Sequence, residues 1–421
     1  MQLTKKIKIY PTEEQVNVLW ELSEKCRCIY NLALADRKNA WCNEQRSVGY
    51  IEQQNKLPEF KENNPEYKVV YSKVLQGVLK KLDANYKSFF ALRKNGDMTA
   101  RLPKFRSNKY FMTLCYNQSG YKINNTNIKF AHSVNKTSLD FEFNEILENV
   151  RQVEIYNDDP YKGRGDFYLS VTYDVFPKAY TDNGCYQAID AGITKIVTCI
   201  NLKGKIHEVK TPRPDKYWQK KMDSIKSKKD HCMKNSRKYL KLHKNYRVME
   251  TKKSNQLKDF QHKLSRKMVE NTRANTIIVG DLKVKKMAQP KIINGEKQKK
   301  TKRIRSRNRS TQNQGYLSRF IEFLTYKAEL RGKRVIRIDE NYTSKECYLC
   351  GKRHDMPLGK RTMECDCGNV IDRDRNSAIN IMVRFLSQNA LWTGYLQFVD
   401  NLRQTGLPMR IRFLESDFQM K

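Results

Sequence analysis

Four cysteines in two close pairs constrain this chain more than any other feature of its sequence. Two residues separate Cys347 from Cys350, and fourteen more lead to Cys365 and Cys367, which flank a single residue. Two short thiolate knuckles joined by a loop deliver the tetrahedron of soft ligands that zinc prefers. All four positions are filled by protein, so the site is closed and the predicted Zn²⁺ is structural. Gly351 and Gly368 follow the pairs directly and supply the turns. The plainer reading, four buried thiols, leaves this paired spacing without a reason. The Cys-x-Cys knuckle is tighter than the commoner Cys-x2-Cys and still chelates; nearby His354 is a candidate substitute that reads better as a surface residue. The other seven cysteines are scattered and read as small buried hydrophobes or neutral surface residues.

Charge constrains the partner. Lys and Arg number 82 against 45 Asp and Glu in 421 residues, a formal net charge of +37. A compact fold with that surplus repels itself unless a polyanion neutralises it, and nucleic acid does so with release of condensed counterions. No run of eighteen apolar residues appears, so no membrane partner is expected. The N-terminal Met-Gln-Leu-Thr-Lys-Lys-Ile lacks a signal-peptide core, and a reducing cytosol or a nucleus is the expected location.

Local periodicity outlines the organisation. Residues 3–10 alternate as a strand, and Pro11-Thr12-Glu13-Glu14 opens a helix whose apolar face runs through Val16, Leu19, Trp20, Ile29, Tyr30 and Ala33. A second helix is written by Val74, Leu75, Val78, Leu79, Leu82, Tyr86 and Phe89. From about residue 105 the period becomes two, as in Phe167, Leu169, Val171, Tyr173 and Val175. Residues 1–180 thus read as a β-rich unit with a helical insert, ending at the Thr181–Gly184 linker. Beyond it, a strand ends at Asp190, a hairpin spans Ile196–Ile200 and the turn at Gly204, and a basic helical stretch fills 214–273. Thr276–Asp281 reads as a buried strand, Phe320–Leu330 as a helix and Arg334–Ile338 as a further strand, an alternation typical of an α/β sheet. Residues 283–314 carry twelve Lys and Arg against one Glu; they read equally as a solvated segment or as one that orders on a phosphate backbone.

Taken alone, Asp190 at a strand end reads as a turn residue and the acids of Asp372-Arg373-Asp374 as helix caps. Together with the cysteine knuckles they form a string: Ile189-Asp190-Ala191-Gly192, Gly280-Asp281-Leu282, Tyr326-Lys327-Ala328-Glu329, and Arg373-Asp374-Arg375-Asn376-Ser377-Ala378-Ile379-Asn380-Ile381. This string resembles the TnpB family of transposon-encoded RNA-guided DNA nucleases, related to type V CRISPR effectors and the Fanzor proteins. Ile9-Tyr10-Pro11-Thr12, Tyr30-Asn31-x-Ala33-Leu34 and Leu102-Pro103-Lys104-Phe105 extend the resemblance over nearly the whole chain, less specifically.

The resemblance implies a multidomain α+β protein. A β-barrel-like, wedge-like unit (1–11 and 101–180) would carry a helical recognition insert (12–100). A RuvC, RNase H-like α/β nuclease domain (184–341 and 373–390) would hold a zinc ribbon (342–372), followed by a tail (391–421). It implies three carboxylates holding two Mg²⁺, Asp190 first and Asp374 last, which hydrolyse a phosphodiester. It implies as partners a transposon-derived guide RNA and double-stranded target DNA, bound by a monomer in a prokaryotic cytosol.

One position departs from the family pattern. The middle glutamate belongs immediately before Asp281-Leu282, where this chain has Gly280. Either the site has lost a ligand, or the ligand has moved, as in one TnpB branch and in Fanzors. Glu322, near the start of the helix after that strand, is the expected replacement; Asp281 faces away from the site by strand alternation, and Glu329 reads as surface. The competing functions are a nuclease-inactive RNA-guided repressor and an RNA-independent DNA-binding transposition accessory.

Overall fold

The computed structural model describes the chain except for residues 133–136, 144–145, 160–164, 282–291, 294–295, 298–316, 358, 414–415 and 417–421. Apart from a two-rung ladder, β12 (Ile292–Ile293) with β13 (Glu296–Lys297), the basic run 283–314 lies outside the described residues. The chain divides into two compact units, Met1–Phe176 and Pro177–Lys421.

The first unit opens with β1 (Gln2–Ile9), which pairs antiparallel with β7 (Phe167–Asp174) from the unit's far end. Between them come α1 (Glu13–Glu44), α2 (Tyr50–Asn55), α3 (Leu57–Asn63) and α4 (Ser72–Lys94), then β2 (Leu114–Asn117) to β6 (Val150–Asn157). Strand order is β1-β7-β6-β2 in one sheet; β3 (Tyr121–Asn124), β4 (Asn127–Phe130) and β5 (Leu139–Glu142) form another. These are two open sheets. Among the described residues there is no closed barrel, which corrects the barrel-like expectation. Alternation with a period of two makes each strand amphipathic, and a sheet needs only one covered face. Here α1 and α4 join that cover: Leu19, Leu22, Leu75 and Leu82 share a core with Leu114, Val153, Ile155 and Leu169.

The second unit is built on a five-stranded mixed sheet of order β10-β9-β8-β11-β14. Its strands are β8 (Tyr186–Asp190), β9 (Lys195–Asn201), β10 (Ile206–Lys210), β11 (Thr276–Gly280) and β14 (Arg334–Ile338). β8, β11 and β14 are parallel, so their carboxyl ends share one edge; β9 and β10 continue the sheet as antiparallel strands. The sheet has two distinct faces because successive side chains alternate. Ala188, Ile278 and Ile338 pack with α8 (Arg373–Gln388) and α9 (Trp392–Gln404). Ile189, Ile277 and Val279 pack on the other face with α6 (Arg237–Asn271) and α7 (Leu317–Leu330). α6 follows α5 (Pro214–Asp230), and the two pack together as a helical pair. The cysteine knuckles lie between β14 and α8, with the ladder β15 (Thr362–Glu364)–β16 (Val370–Asp372) leading into α8. Among the described residues no helix is long and apolar enough to cross a membrane.

At the start of α1, Thr12 Oγ1 accepts from Gln15 N and the Gln15 side chain accepts from Thr12 N, a reciprocal cap. Thr12→Ala is expected to cost about 1 kcal/mol, seen as an earlier urea midpoint for the first unit.

Candidate active site

Asp190 is the last residue of β8, on the parity of Ala188, and so faces α8. Gly280 ends β11 on the parity of Ile278 and faces the same way. Ser377 on α8 donates from Oγ to Asp190 Oδ1 at 2.9 Å. Asp374 sits in the first turn of α8, whose N-cap is Asp372; Asp372 Oδ1 accepts from the amides of Asp374 and Arg375. The other oxygen of Asp372 is 2.9 Å from Lys195 Nζ. A cap therefore exists as expected, but it belongs to Asp372 and leaves the Asp374 carboxylate for other use.

The space at Gly280 is filled by a residue the sequence analysis did not single out. A Cβ placed on Gly280 would stand 2.3 Å from Glu340 Oε2 and 3.0 Å from Glu340 Cβ. Gly280 has no positive φ, so its glycine is required by space and not by backbone conformation. Gly280 pairs with Ile338, and Glu340 lies two residues beyond that partner, just past the end of β14. Glu340 Oε2 is buried and has no hydrogen-bond partner among the described residues. A buried carboxylate without a donor is costly while ionised, so the group holds its proton unless a cation meets it.

Electrostatics link these acids. Burial, and next the charge of Asp374, push Asp190 up to about 7, against the hydrogen bond from Ser377. Burial, then Asp190, Asp281 and Asp339, push Glu340 up to about 8. Asp374 is raised by burial and by Asp372, with Arg361, Lys195 and Arg373 pulling the other way. Mutually raised carboxylates of this kind are a common mark of a functional site. Arg361 Nη1 lies 3.6 Å from Asp374 Oδ1, its Nη2 donates to Thr194 Oγ1 at 2.5 Å, and its side chain is 51 % exposed. It is a cation beside the acids with room to meet something else.

Glu322 is not brought to this edge. It is exposed on α7, where Leu317, Phe320, Ile321, Leu324 and Ala328 form the buried stripe. That helix packs with Ile189, Ile277 and Val279, on the sheet face opposite to Asp190. The expectation failed by following the helix after β11 when the neighbouring strand, one hydrogen-bonded ladder away, was the shorter route. The signal was present: Glu340 follows a strand that reads as parallel to β11, and Gly280 leaves a gap for it.

The four cysteines converge as their spacing predicts. Their sulfurs all lie within 4.8 Å of one another, with Cys347 to Cys367 at 3.7 Å and Cys350 to Cys365 at 3.5 Å. Four sulfurs at about 2.3 Å from a tetrahedral centre are separated by about 3.8 Å, so the cage fits a single such ion. Asn369 Nδ2 donates to Cys347 Sγ at 3.1 Å. His354 is not in the cluster. Among the described residues this is the one group of three or more candidate ligands so tightly gathered; the carboxylates are more widely spread.

Similarity to known proteins follows the same map. The family described as "Cas12f1-like, TNB domain" matches residues 318–381, and "Probable transposase" matches 170–291. A "Helix-turn-helix domain" matches 1–46, although there the chain forms β1 and one long helix. A "Putative RNA-guided DNA endonuclease" of Streptomyces pristinaespiralis is 29% identical over 396 residues, covering 92% of this chain and 90% of the relative. The Escherichia coli (strain K12) "Putative RNA-guided DNA endonuclease InsQ" is 25% identical, covering 90% of each. Among solved structures, Cas12f1 in complex with guide RNA and target DNA matches with a TM-score of 0.58 at 15% identity, over 88% of this chain and 83% of that one. At that identity the likeness is one of fold.

The raised acids give a signed prediction. An unfolded chain releases carboxylate protons near pH 4, whereas Asp190 and Glu340 hold theirs to about 7 and about 8 when folded without metal. The folded state then binds more protons, so stability is greatest on the acid side and falls as pH rises through this range. Melting in chelator across that window should show a falling midpoint, with a shallower fall in Glu340→Gln. A midpoint that rises through the window contradicts the assignment.

Proposed function

The chain belongs to the TnpB family, and from that premise we propose that it is an RNA-guided DNA endonuclease of a transposable element, cutting guide-matched DNA beside a short flanking motif. The observation that carries the catalytic part is the Glu340 carboxylate filling the place of the side chain missing at Gly280, on the edge that also holds Asp190 and Asp374. With an acid present there, Gly280 is no argument for a nuclease-inactive repressor.

Asp190, Glu340 and Asp374 are the residues that would hold two Mg²⁺, replacing the set with Glu322. Bound there, the metals supply an activated water and stabilise the leaving oxygen of a phosphodiester. The orphaned oxygen of Glu340 and the mutual repulsion of the acids fit a dication. Ser377 fixes the Asp190 carboxylate, and the Lys195–Asp372 pair anchors the helix end that presents Asp374. Half-exposed Arg361 is suited to take a non-bridging phosphate oxygen. The four cysteines would hold one structural Zn²⁺.

Five strands with the order and directions seen here, an acid at the end of β8 and another opening α8, support a RuvC-type domain over 184–341 and 373–390, with residues 342–372 as a zinc ribbon. The β1–β7 ladder supports assigning 1–11 and 101–176 to one unit, with 12–100 as its helical insert; the expected boundary at 180 moves to Phe176. Base pairing with the guide RNA would choose the double-stranded target, and the surplus of Lys and Arg would hold heteroduplex phosphates without reading sequence. The site of action is then a prokaryotic cytosol, and the protein works as a monomer.

A plasmid cleavage assay with the guide-loaded protein tests this reading. Asp190→Ala, Glu340→Ala and Asp374→Ala should each lower the rate by at least about a hundredfold, as should EDTA. Glu322→Ala should cut within about twofold of wild type, as surface substitutions usually do. Guide-directed binding without cutting by the wild type sinks the catalytic claim. Stripping the zinc, or Cys347→Ser with Cys367→Ser, should loosen residues 342–372 and abolish cutting while the first unit's unfolding midpoint is unchanged.

A further inference from the structure

The C-terminal segment was not given a role by its sequence, yet its described part reaches the cysteine knuckle. α9 buries Tyr395, Phe398, Val399 and Leu402 in the core shared with α8. Beyond it, the Tyr395 hydroxyl accepts from the Arg412 amide at 2.9 Å, which turns the Arg412 side chain inward. That side chain is only 10 % exposed. Its Nη1 donates to the carbonyls of Cys347 and Tyr348, at 3.4 and 3.2 Å, and to Asn380 Oδ1 at 3.3 Å. Its Nη2 is paired with Glu346. A Cβ on Gly351 would come within 2.9 Å of Nη2, so the knuckle's own glycine makes the space that Arg412 fills.

The groups that Arg412 touches lead to the acids. Asn376 and Asn380 on α8 both donate to the carbonyls of Thr343 and Glu346, and the Asn376 side chain accepts from Tyr348 N. Thr343 donates from its amide and hydroxyl to the Glu340 carbonyl, and its hydroxyl lies 2.9 Å from Ser377 Oγ, which holds Asp190. Residues 340–351 are thus strapped along α8 from Glu340 to the first knuckle, and Arg412 closes the strap at its far end.

We propose that Arg412 is a positioning residue for DNA cleavage: docking of residues 405–413 fixes the first knuckle, and through it the loop that presents Glu340. The guanidinium is suited to this because one planar group serves four acceptors on two segments, residues 346–348 and α8, which a lysine cannot do. The cleavage part rests on the nuclease reading above; the strapping part does not.

The test uses the full chain with its guide, comparing wild type, Arg412→Ala and Arg412→Lys by hydrogen exchange and by Mg²⁺ titration of cleavage. Arg412→Ala should speed exchange in peptides covering 340–351 by about tenfold or more and raise the Mg²⁺ needed for half-maximal cutting by about threefold or more. Target binding should stay within about twofold, with Arg412→Lys falling between on both readouts. Unchanged exchange over 340–351, or an unchanged Mg²⁺ requirement, overturns the proposal. So does exchange that speeds throughout the second unit with target binding lost, which marks Arg412 as a folding residue only. If Arg412→Ala does not fold, Arg412→Lys decides by the same criteria. A wild type that does not cut fails the nuclease reading, while exchange still decides the strap.

Discussion

Three parallel strands bring their carboxyl ends to one edge, and the side chains that face α8 there include acids that repel one another. Asp190 is raised to about 7 and Glu340 to about 8 because burial and like charge oppose their ionisation. In the metal-free chain that edge is a cost the rest of the second unit must carry. Its surroundings hold the acids in place: Ser377 donates to Asp190, and Asp372 caps the helix that carries Asp374. Asp374 has Arg361 beside it, whereas the buried Glu340 oxygen has no donor among the described residues, so the charge at this edge is only partly met.

The strap from Glu340 to Cys347 explains why the cysteine cluster lies where it does. A glutamate presented by a loop is less precisely held than one in the middle of a strand. The loop here is pinned by Asn376 and Asn380, which are both buried on α8, and is anchored at its end by the thiolate knuckle. The four-cysteine cluster is therefore joined to the carboxylate edge by a short, hydrogen-bonded path. A metal held by all four cysteines would suit an anchor and would leave no ligand position for chemistry.

Much of this was legible from residues alone. The cysteine spacing forecast the convergence of Cys347, Cys350, Cys365 and Cys367, and periodicity located β8, β11, β14, α7 and α8 where the structure has them. Asp190 and Asp374, a turn residue and a helix cap when taken alone, were singled out only by the motif string that resembles TnpB. Two things were not legible. Open sheets in the first unit cannot be told from a barrel by alternation, since both need the same period. The position of the middle glutamate depended on which element neighbours β11 in space. Sequence order pointed to the helix bearing Glu322, but strand pairing brought in β14 and with it Glu340. Parity then decides, because Gly280 and Asp190 face α8 whereas α7 covers the other face.

The most direct measurement moves the carboxylate back to the strand. Gly280→Glu would be combined with Glu340→Gly, so that the acid and the space it occupies exchange positions, and guided cleavage compared with Glu340→Gly alone. Loss of cutting in the single variant with substantial recovery in the double one is the result predicted if Glu340 fills the catalytic place vacated at Gly280. Cleavage at the wild-type rate in Glu340→Gly alone would contradict it.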